Sequence, residues 1–265
     1  MLSIHPTAVV APGAQIHPTC EVGPYAVIGP HVQLGPGNVV GPHAVLDGNT
    51  SIGAGNRFHA SCSIGGSPQI TGRAGDVGRL IIGDDNVFRE FVTVHAGGEA
   101  VTTIGSRGLF MATAHVAHDC VLGDDIVMAN GATLGGHVVI GDRAQLSGLC
   151  AVHQHVRIGE LAFVAGGAIV TQDVAPYCLV QGDRAKLVSL NAVGLRRAGL
   201  GAQDVGRLKR TFRTLFHGQG GLAERMAAAE ALEPSDDRTV RLLAFMRDSV
   251  RGVIATPRRH LPAAA

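Results

Sequence analysis

FMATAHVAHDCVLGDDIVMANGATLGGHVVIGDRAQLSGLCAVHQH, residues Phe110 to His155, keeps a strict beat of six. Phe110, Val116, Leu122, Met128, Leu134, Ile140, Leu146 and Val152 mark the beat, and the next residue is usually Gly, Ala or Ser. The same stretch carries five of the chain's 13 histidines. Upstream, the beat runs unbroken through eleven positions from Ile4 to Ile64, resumes at Ile82, Phe88 and Val94, and runs again from Ile104 to Val170. An α-helix cannot keep every sixth residue on one face, because six residues advance it by about 600°. Three short strands per turn of a parallel β-coil can, one hexad to each side, with turns stacked at about 4.8 Å.

Three hexads make a turn, so positions three hexads apart stack. Ile64, Val94, Val116, Leu134 and Val152 therefore share one face in successive turns, and His95, His118, His137, His153 and His155 lie on it. Both breaks in the beat, roughly 65–81 and 96–103, leave from that face. From His95 to His153 is three turns, about 14 Å, which suits an extended substrate. Isolated histidines such as His5, His17, His31 and His43 read as solvated surface groups; a stacked set beside two loops that break from a repeat reads as a site.

Composition agrees with a repetitive β architecture: 37 glycines, no tryptophan, 4% aromatic and 46% hydrophobic residues leave no conventional core of large rings. The net charge of +1 points to no polyanionic partner, and none of nucleic-acid type is expected. Its distribution is uneven. From Asn191 onward there are 13 Lys/Arg against 7 Asp/Glu, leaving 9 against 14 in the rest, so the tail is basic and suits an acidic protein or a phosphate. Cys20, Cys62, Cys120 and Cys150 share one hexad position with Ala and Val and read as small buried thiols. With the beat starting at Ile4 and no apolar run of membrane-spanning length, a cytoplasmic protein without a membrane span is expected.

After Val170, Pro176 and Gly182 are expected to end the coil, and the pattern becomes helical. Leu195, Leu208, Phe212, Leu215 and Phe216, then Leu222 to Leu232, then Leu242, Leu243, Phe245, Met246, Val250 and Ile254 predict three or four amphipathic helices before a frayed HLPAAA. The division expected is a coil domain over 1–190 and a helical domain over 191–265.

Within HVAHDC, His118 precedes Asp119. An imidazole is suited to deprotonate a hydroxyl, and a carboxylate can fix its tautomer. Were that hydroxyl to attack a carbonyl carbon, a backbone N–H beside a glycine could hold the oxyanion. Gly135 and Gly136 lie one turn above His118. No Ser or Cys occupies a nucleophile context, which favours direct transfer over an acyl-enzyme.

The repeat resembles the hexapeptide-repeat acyltransferases, and the resemblance implies a left-handed parallel β-helix, an all-β coil with a C-terminal α-helical domain, assembled as a homotrimer with sites between subunits. The segments IGPHV, IGDDN with VTVH, AHVAHDC, TLGGHV, AVHQHVRIG, VTQDVAPY and NAVGLRRAG narrow it, over nearly the whole chain, to the acyl carrier protein-dependent UDP-N-acetylglucosamine O-acyltransferases that open lipid A synthesis. The resemblance implies transfer of a 3-hydroxyacyl chain to the sugar's 3-position. It implies that His118 is the base, Asp119 its orienting partner and Gly136 the oxyanion donor. His137 and Gln154 would touch the sugar, His95, His115 and His153 would line the site, and Asn191 and Arg197 would reach the nucleotide. Gly166 would leave the acyl groove open. No cofactor is implied beyond the phosphopantetheine of acyl carrier protein, the docking partner for the basic tail.

The chain departs from the family's loop motif Gln-Asp-x-Lys. Gln69 is kept, but Ile70 and Gly72 replace the acid and the lysine that would meet the glucosamine ring, with Arg73 or Asp76 as compensating groups. Val193 and Ala198 also stand where polar or basic groups are usual. A different nucleotide sugar, for instance a 3-amino analogue, is therefore the alternative acceptor. A three-histidine zinc centre of the carbonic anhydrase kind is a rival of another class, but His115 and His118 lack its spacing and no metal is expected. A scaffold without catalysis would need neither loops nor a stacked titratable wall.

Overall fold

The structure, a computed structural model, describes residues 3–72 and 78–255; Arg73, Asp76 and the closing HLPAAA lie outside that range. The chain winds into a left-handed parallel β-helix with three flat faces. The first face stacks eleven strands, the second nine and the third eight among the described residues. Most strands are two residues long, such as His115–Val116 and Val121–Leu122, and each pairs in register with the strand one turn away. The hexad-start residue of each points inward: Ile28, Leu46, Val94, Val116, Leu134 and Leu146 are fully buried. Phe58, Phe88 and Phe110 stack inside at 5.1 and 4.8 Å between rings. All five cysteines are buried and free, with burial pushing the Cys62 and Cys120 thiols up to about 12.

The corners explain the small residues and the prolines. At each corner the third residue repeatedly takes a left-handed conformation, as in Asp119 (φ 60°), His137 (φ 60°) and His155 (φ 63°). The residue before it has a backbone N–H that the ladder does not use. Pro6, Pro12, Pro18, Pro24, Pro30, Pro36 and Pro42 all occupy that second position, where a missing donor costs nothing. At the corner between the third and first faces, buried asparagines form a polar ladder. The Oδ1 of Asn38 accepts the Asn56 N–H at 2.8 Å, that of Asn56 the Asn86 N–H at 2.9 Å, and that of Asn86 the Gly108 N–H at 2.7 Å.

Both excursions leave at the corner between the second and third faces. Strands resume at Arg79 and Val101, earlier than the ends expected from the hexads, because Arg79–Ile82 and Val101–Ile104 pair over four residues rather than two.

Two sequence expectations are corrected at the upper end. The coil does not stop at Pro176: Cys178–Gln181 adds one more parallel strand on Phe163–Val164, and Lys186–Leu190 then returns antiparallel. Pro176 is tolerated because it takes the donor-free second corner position, just before Tyr177 (φ 67°). Four helices follow among the described residues, α1 (Ala192–Arg197), α2 (Ala202–His217), α3 (Leu222–Leu232) and α4 (Asp237–Arg247). The last helix does not reach Ile254. It ends at Arg247, Val250 is 97% exposed, and the chain turns at Gly252 (φ 77°) to lay Val253 beside Asp173. The Asp173 N–H donates to the Gly252 carbonyl at 3.0 Å and the Ile254 N–H to that of Asp173 at 2.8 Å, so this strap supplies a further rung to the coil. Buried Asp173 also accepts from the Arg157 N–H and the Ser249 hydroxyl, each at 2.8 Å. No helix among the described residues is long and apolar enough to cross a membrane.

Candidate active site

His118, Gly136 and Gln154 occupy the second corner position in three successive turns, with Asp119, His137 and His155 at the left-handed third position beside them. The repeat thus aims like side chains one above another. His118 Nδ1 lies 2.7 Å from Asp119 Oδ2. The other oxygen of Asp119 accepts three backbone N–H groups from the second excursion, those of Gly98, Glu99 and Ala100, at 2.8, 3.1 and 2.7 Å. Its own N–H donates to the buried Thr102 hydroxyl at 2.8 Å. Burial alone would raise the Asp119 carboxyl, but the hydrogen bonds from His118 and the loop outweigh it and hold the pKa at about 2. The carboxylate therefore stays charged, directs the Nδ1–H of His118 toward itself, and leaves Nε2 free as an acceptor.

Gly136 lies against that free edge. A Cβ built there would stand 2.5 Å from His118 Cε1 and 2.7 Å from Nε2, so any side chain would displace the ring. The Gly136 N–H has no acceptor among the described residues. It is the donor that proline lacks in the lower turns.

The other histidines form a wall around this pair. His137 Nε2 is 3.5 Å from Asp119 Oδ2, and its ring meets His118 edge-on at 5.2 Å and stacks on His155 at 4.5 Å. His115 Nδ1 is 2.7 Å from the Thr93 hydroxyl, and His115 meets His95 edge-on at 4.9 Å. Burial and the neighbouring His115 and His118 pull the His95 imidazole down to about 4, and its buried Nδ1 has no partner among the described residues. Burial, then His118, also lowers His115. His153 and Gln154 are exposed at the upper end of the wall, and Gln69 is exposed in the first excursion.

The remaining residues singled out in the sequence are not on this wall. Gly166 is exposed at the corner between the first and second faces. Asn191 and Arg197 line a cleft of about 350 Å³ at the corner between the third and first faces, with Asp125, Arg143 and Leu161. The Asn191 amide is committed within the chain: Oδ1 caps α1 through the Gly194 N–H at 3.0 Å, and Nδ2 donates to the Leu161 carbonyl at 2.9 Å. Sequence reasoning missed Thr93, Thr102 and the backbone donors of residues 98–100. Thr93 was within reach of the hexad count, since it pairs with His115 once the excursion is subtracted. The backbone donors carry no residue-type signal at all.

Residues 173–254 match the family model described as Udp N-acetylglucosamine O-acyltransferase, Domain 2. An acyl-[acyl-carrier-protein]–UDP-N-acetylglucosamine O-acyltransferase from Anaeromyxobacter sp. (strain K) is 50% identical over 255 residues, 95% of this chain and 99% of the relative. The chain belongs to that family. It is accordingly an acyltransferase. The solved UDP-N-acetylglucosamine acyltransferase from Campylobacter jejuni superposes with a TM-score of 0.90 at 36% identity, covering 97% of this chain and all of that one. The Francisella novicida UDP-N-acetylglucosamine acyltransferase gives 0.93 at 32% identity, covering 97% and 95%. The strap and helices fall inside the matched domain, so the family includes the upper rung as well as the coil.

Proposed function

We propose that this acyltransferase moves a 3-hydroxyacyl chain from acyl carrier protein to the 3-hydroxyl of UDP-N-acetylglucosamine, the opening step of lipid A synthesis. The observation that carries the reading is the His118–Asp119 pair with the unspent Gly136 N–H beside the free edge of the imidazole. His118 Nε2 takes the proton of the sugar hydroxyl as its oxygen attacks the thioester carbonyl. The C–O bond forms, the oxyanion accepts from the Gly136 N–H, and collapse breaks the C–S bond. The imidazolium then gives its proton to the departing thiolate. Asp119 stabilises the imidazolium without taking up the proton. The steps use no metal: Asp119 Oδ2 takes the His118 Nδ1–H while Oδ1 takes three backbone N–H groups.

His137 and Gln154 suit the sugar hydroxyls, and His95, His115 and His153 line the cleft. Half-buried His95, held at about 4, is neutral at neutral pH, so it can exchange hydrogen bonds without bringing a charge. The basic helical tail suits acidic acyl carrier protein, and a cytoplasmic setting fits that donor.

A homotrimer is part of the proposal. His118, Gly166 and Arg197 lie at three different corners of one chain, which supports the reading that a single extended substrate would meet them where corners of neighbouring subunits come together. Gly166 of one subunit would then border the acyl chain seated on the histidine wall of another.

A mass-resolved transfer assay tests the reading, with a panel of acyl carrier protein thioesters and UDP-N-acetylglucosamine or its 3-amino analogue. Transfer to the ordinary sugar, reduced about 10²- to 10⁴-fold by His118→Ala, is expected. The second reading, a 3-amino acceptor, rests on Ile70 and Gly72: Gly72 sits at φ 82° with open space around it, so the described loop offers neither an acid nor a lysine there. Transfer only to the 3-amino sugar would establish that reading; transfer to neither would overturn both.

A further inference from the structure

Arg251 closes the upper end of the histidine wall. It belongs to the strap that returns from α4, and Gln172 Nε2, at 3.4 Å from the Arg251 carbonyl, helps seat it there. The half-buried guanidinium reaches down over the wall: Nε and Nη2 lie 3.4 and 3.3 Å from the Thr171 carbonyl, and Nη2 lies 3.4 Å from His153 Nδ1. That His153 nitrogen is 3.0 Å from the Gln154 carbonyl and so directs its hydrogen there, which leaves it no lone pair for Arg251. Among the described residues the guanidinium meets no carboxylate, only one neutral carbonyl at long range. At least three of its five N–H donors remain for something else. Burial first, then His137 and Arg251, hold the His155 imidazole below its ordinary range, so the guanidinium's field reaches the wall.

We propose that Arg251 binds a substrate phosphate at the top of the acyltransferase site. The level of His153 is two rungs above that of His118, about 10 Å. That is the reach from a hexose 3-hydroxyl poised at His118, across the ring, to the phosphates on its anomeric carbon. A planar guanidinium with three free donors matches phosphate oxygens in pairs. The nucleotide diphosphate fits this height; the phosphodiester of the phosphopantetheine arm presents the same chemistry from the other substrate. The inference rests on the nucleotide-sugar reading above.

The test uses the full-length protein with Arg251→Met, which keeps the apolar stem, and Arg251→Lys, which keeps the charge. KM for the nucleotide sugar and for acyl carrier protein thioester, kcat, thermal unfolding and calorimetric binding of UDP and uridine are measured. Expected is a rise in the nucleotide-sugar KM and a loss of UDP affinity of about tenfold or more for Met, less for Lys, as for loss of charge-assisted hydrogen bonds. Uridine, with no phosphate, should bind all three proteins alike, and kcat should fall far less than affinity. A rise confined to the carrier-protein KM, absent with a phosphate-free acyl-pantetheine donor, would assign the phosphate to the carrier arm. Unchanged KM values and UDP affinity, or a fall in melting temperature and kcat without a change in KM, would overturn the proposal. Failure of the wild type to acylate UDP-N-acetylglucosamine would sink the function above, while the UDP titration would still decide Arg251.

Discussion

At the scale of single residues, the dyad is built from two parts with different origins. The imidazole and carboxylate are adjacent in sequence and were visible there; the geometry that makes them a pair comes from the left-handed turn at Asp119 and from three N–H donors in the second excursion. Asp119→Asn separates the two contributions. The amide still accepts from the loop, but it can present a donor to Nδ1 and favour the wrong tautomer, so kcat should drop by about 10²-fold or more with folding preserved. Steady-state kinetics beside circular dichroism checks this. Gly136→Ala should cost a comparable factor for a steric reason, because its methyl would enter the space of the His118 ring; a structure of the variant should show that ring displaced.

The acid side of the stability profile follows from the same wall. His95 is held at about 4 when folded, against 6.5 for an ordinary imidazole. Between those values the unfolded chain binds a proton that the folded chain refuses, so this contribution is full above pH 6.5 and is lost as pH falls toward 4. Asp119 adds a second loss at lower pH, between its ordinary 3.8 and about 2. Melting temperatures across this range should fall less steeply between pH 6.5 and 4 for His95→Gln than for the wild type.

At the scale of elements, the hexad reading succeeded because it rests on one repeated fact, an inward side chain at every sixth position, and each turn tests it again. It was less informative wherever a segment departs from that repeat. The asparagine ladder was not singled out: Asn38, Asn56 and Asn86 fall at a hexad position elsewhere held by Cys, Ala or Val, and only the stacked corners show each amide serving the rung above. Asn56 Nδ2 also donates to the Gly83 carbonyl at 2.9 Å. Asn56→Ala should therefore destabilise the coil by at least about 2 kcal/mol, since more than one buried polar group loses its partner. A shift in urea midpoint at constant slope measures it. The strap was hidden for another reason. Val250 and Ile254 continue a helical spacing, yet Arg251 and His153 stand 98 residues apart in sequence. Nothing local announces that Gly252 will turn the chain back to Asp173.

At the scale of the whole molecule, the three corners of the coil carry the three groups of residues that the proposed function assigns to one site. If subunits complete each other, two inactive variants should repair one another. Co-expressed His118→Ala and Arg197→Ala chains should regain activity at about a quarter of the sites under random mixing in a cyclic trimer. A site contained in one chain would regain none. Sedimentation of the purified protein should give a single species of three chains. The sequence made the three corners countable, since each hexad can be assigned a face, but one chain alone cannot say which corners meet.

The two excursions carry a lesson about where such a coil can change. Ile64 and Ile82 are inward residues on consecutive faces, yet they lie eighteen positions apart instead of six, and Val94 and Ile104 lie ten apart. Extra length enters and leaves at a corner, so the winding resumes in phase and every later side chain keeps its compass bearing. The same insertion inside a two-residue strand would turn Gly136, Gln154 and Arg251's seat to the wrong quarter at once. The coil behaves as an indexed screw, rigid in its thread and free at one notch, and that notch is where its candidate site is cut.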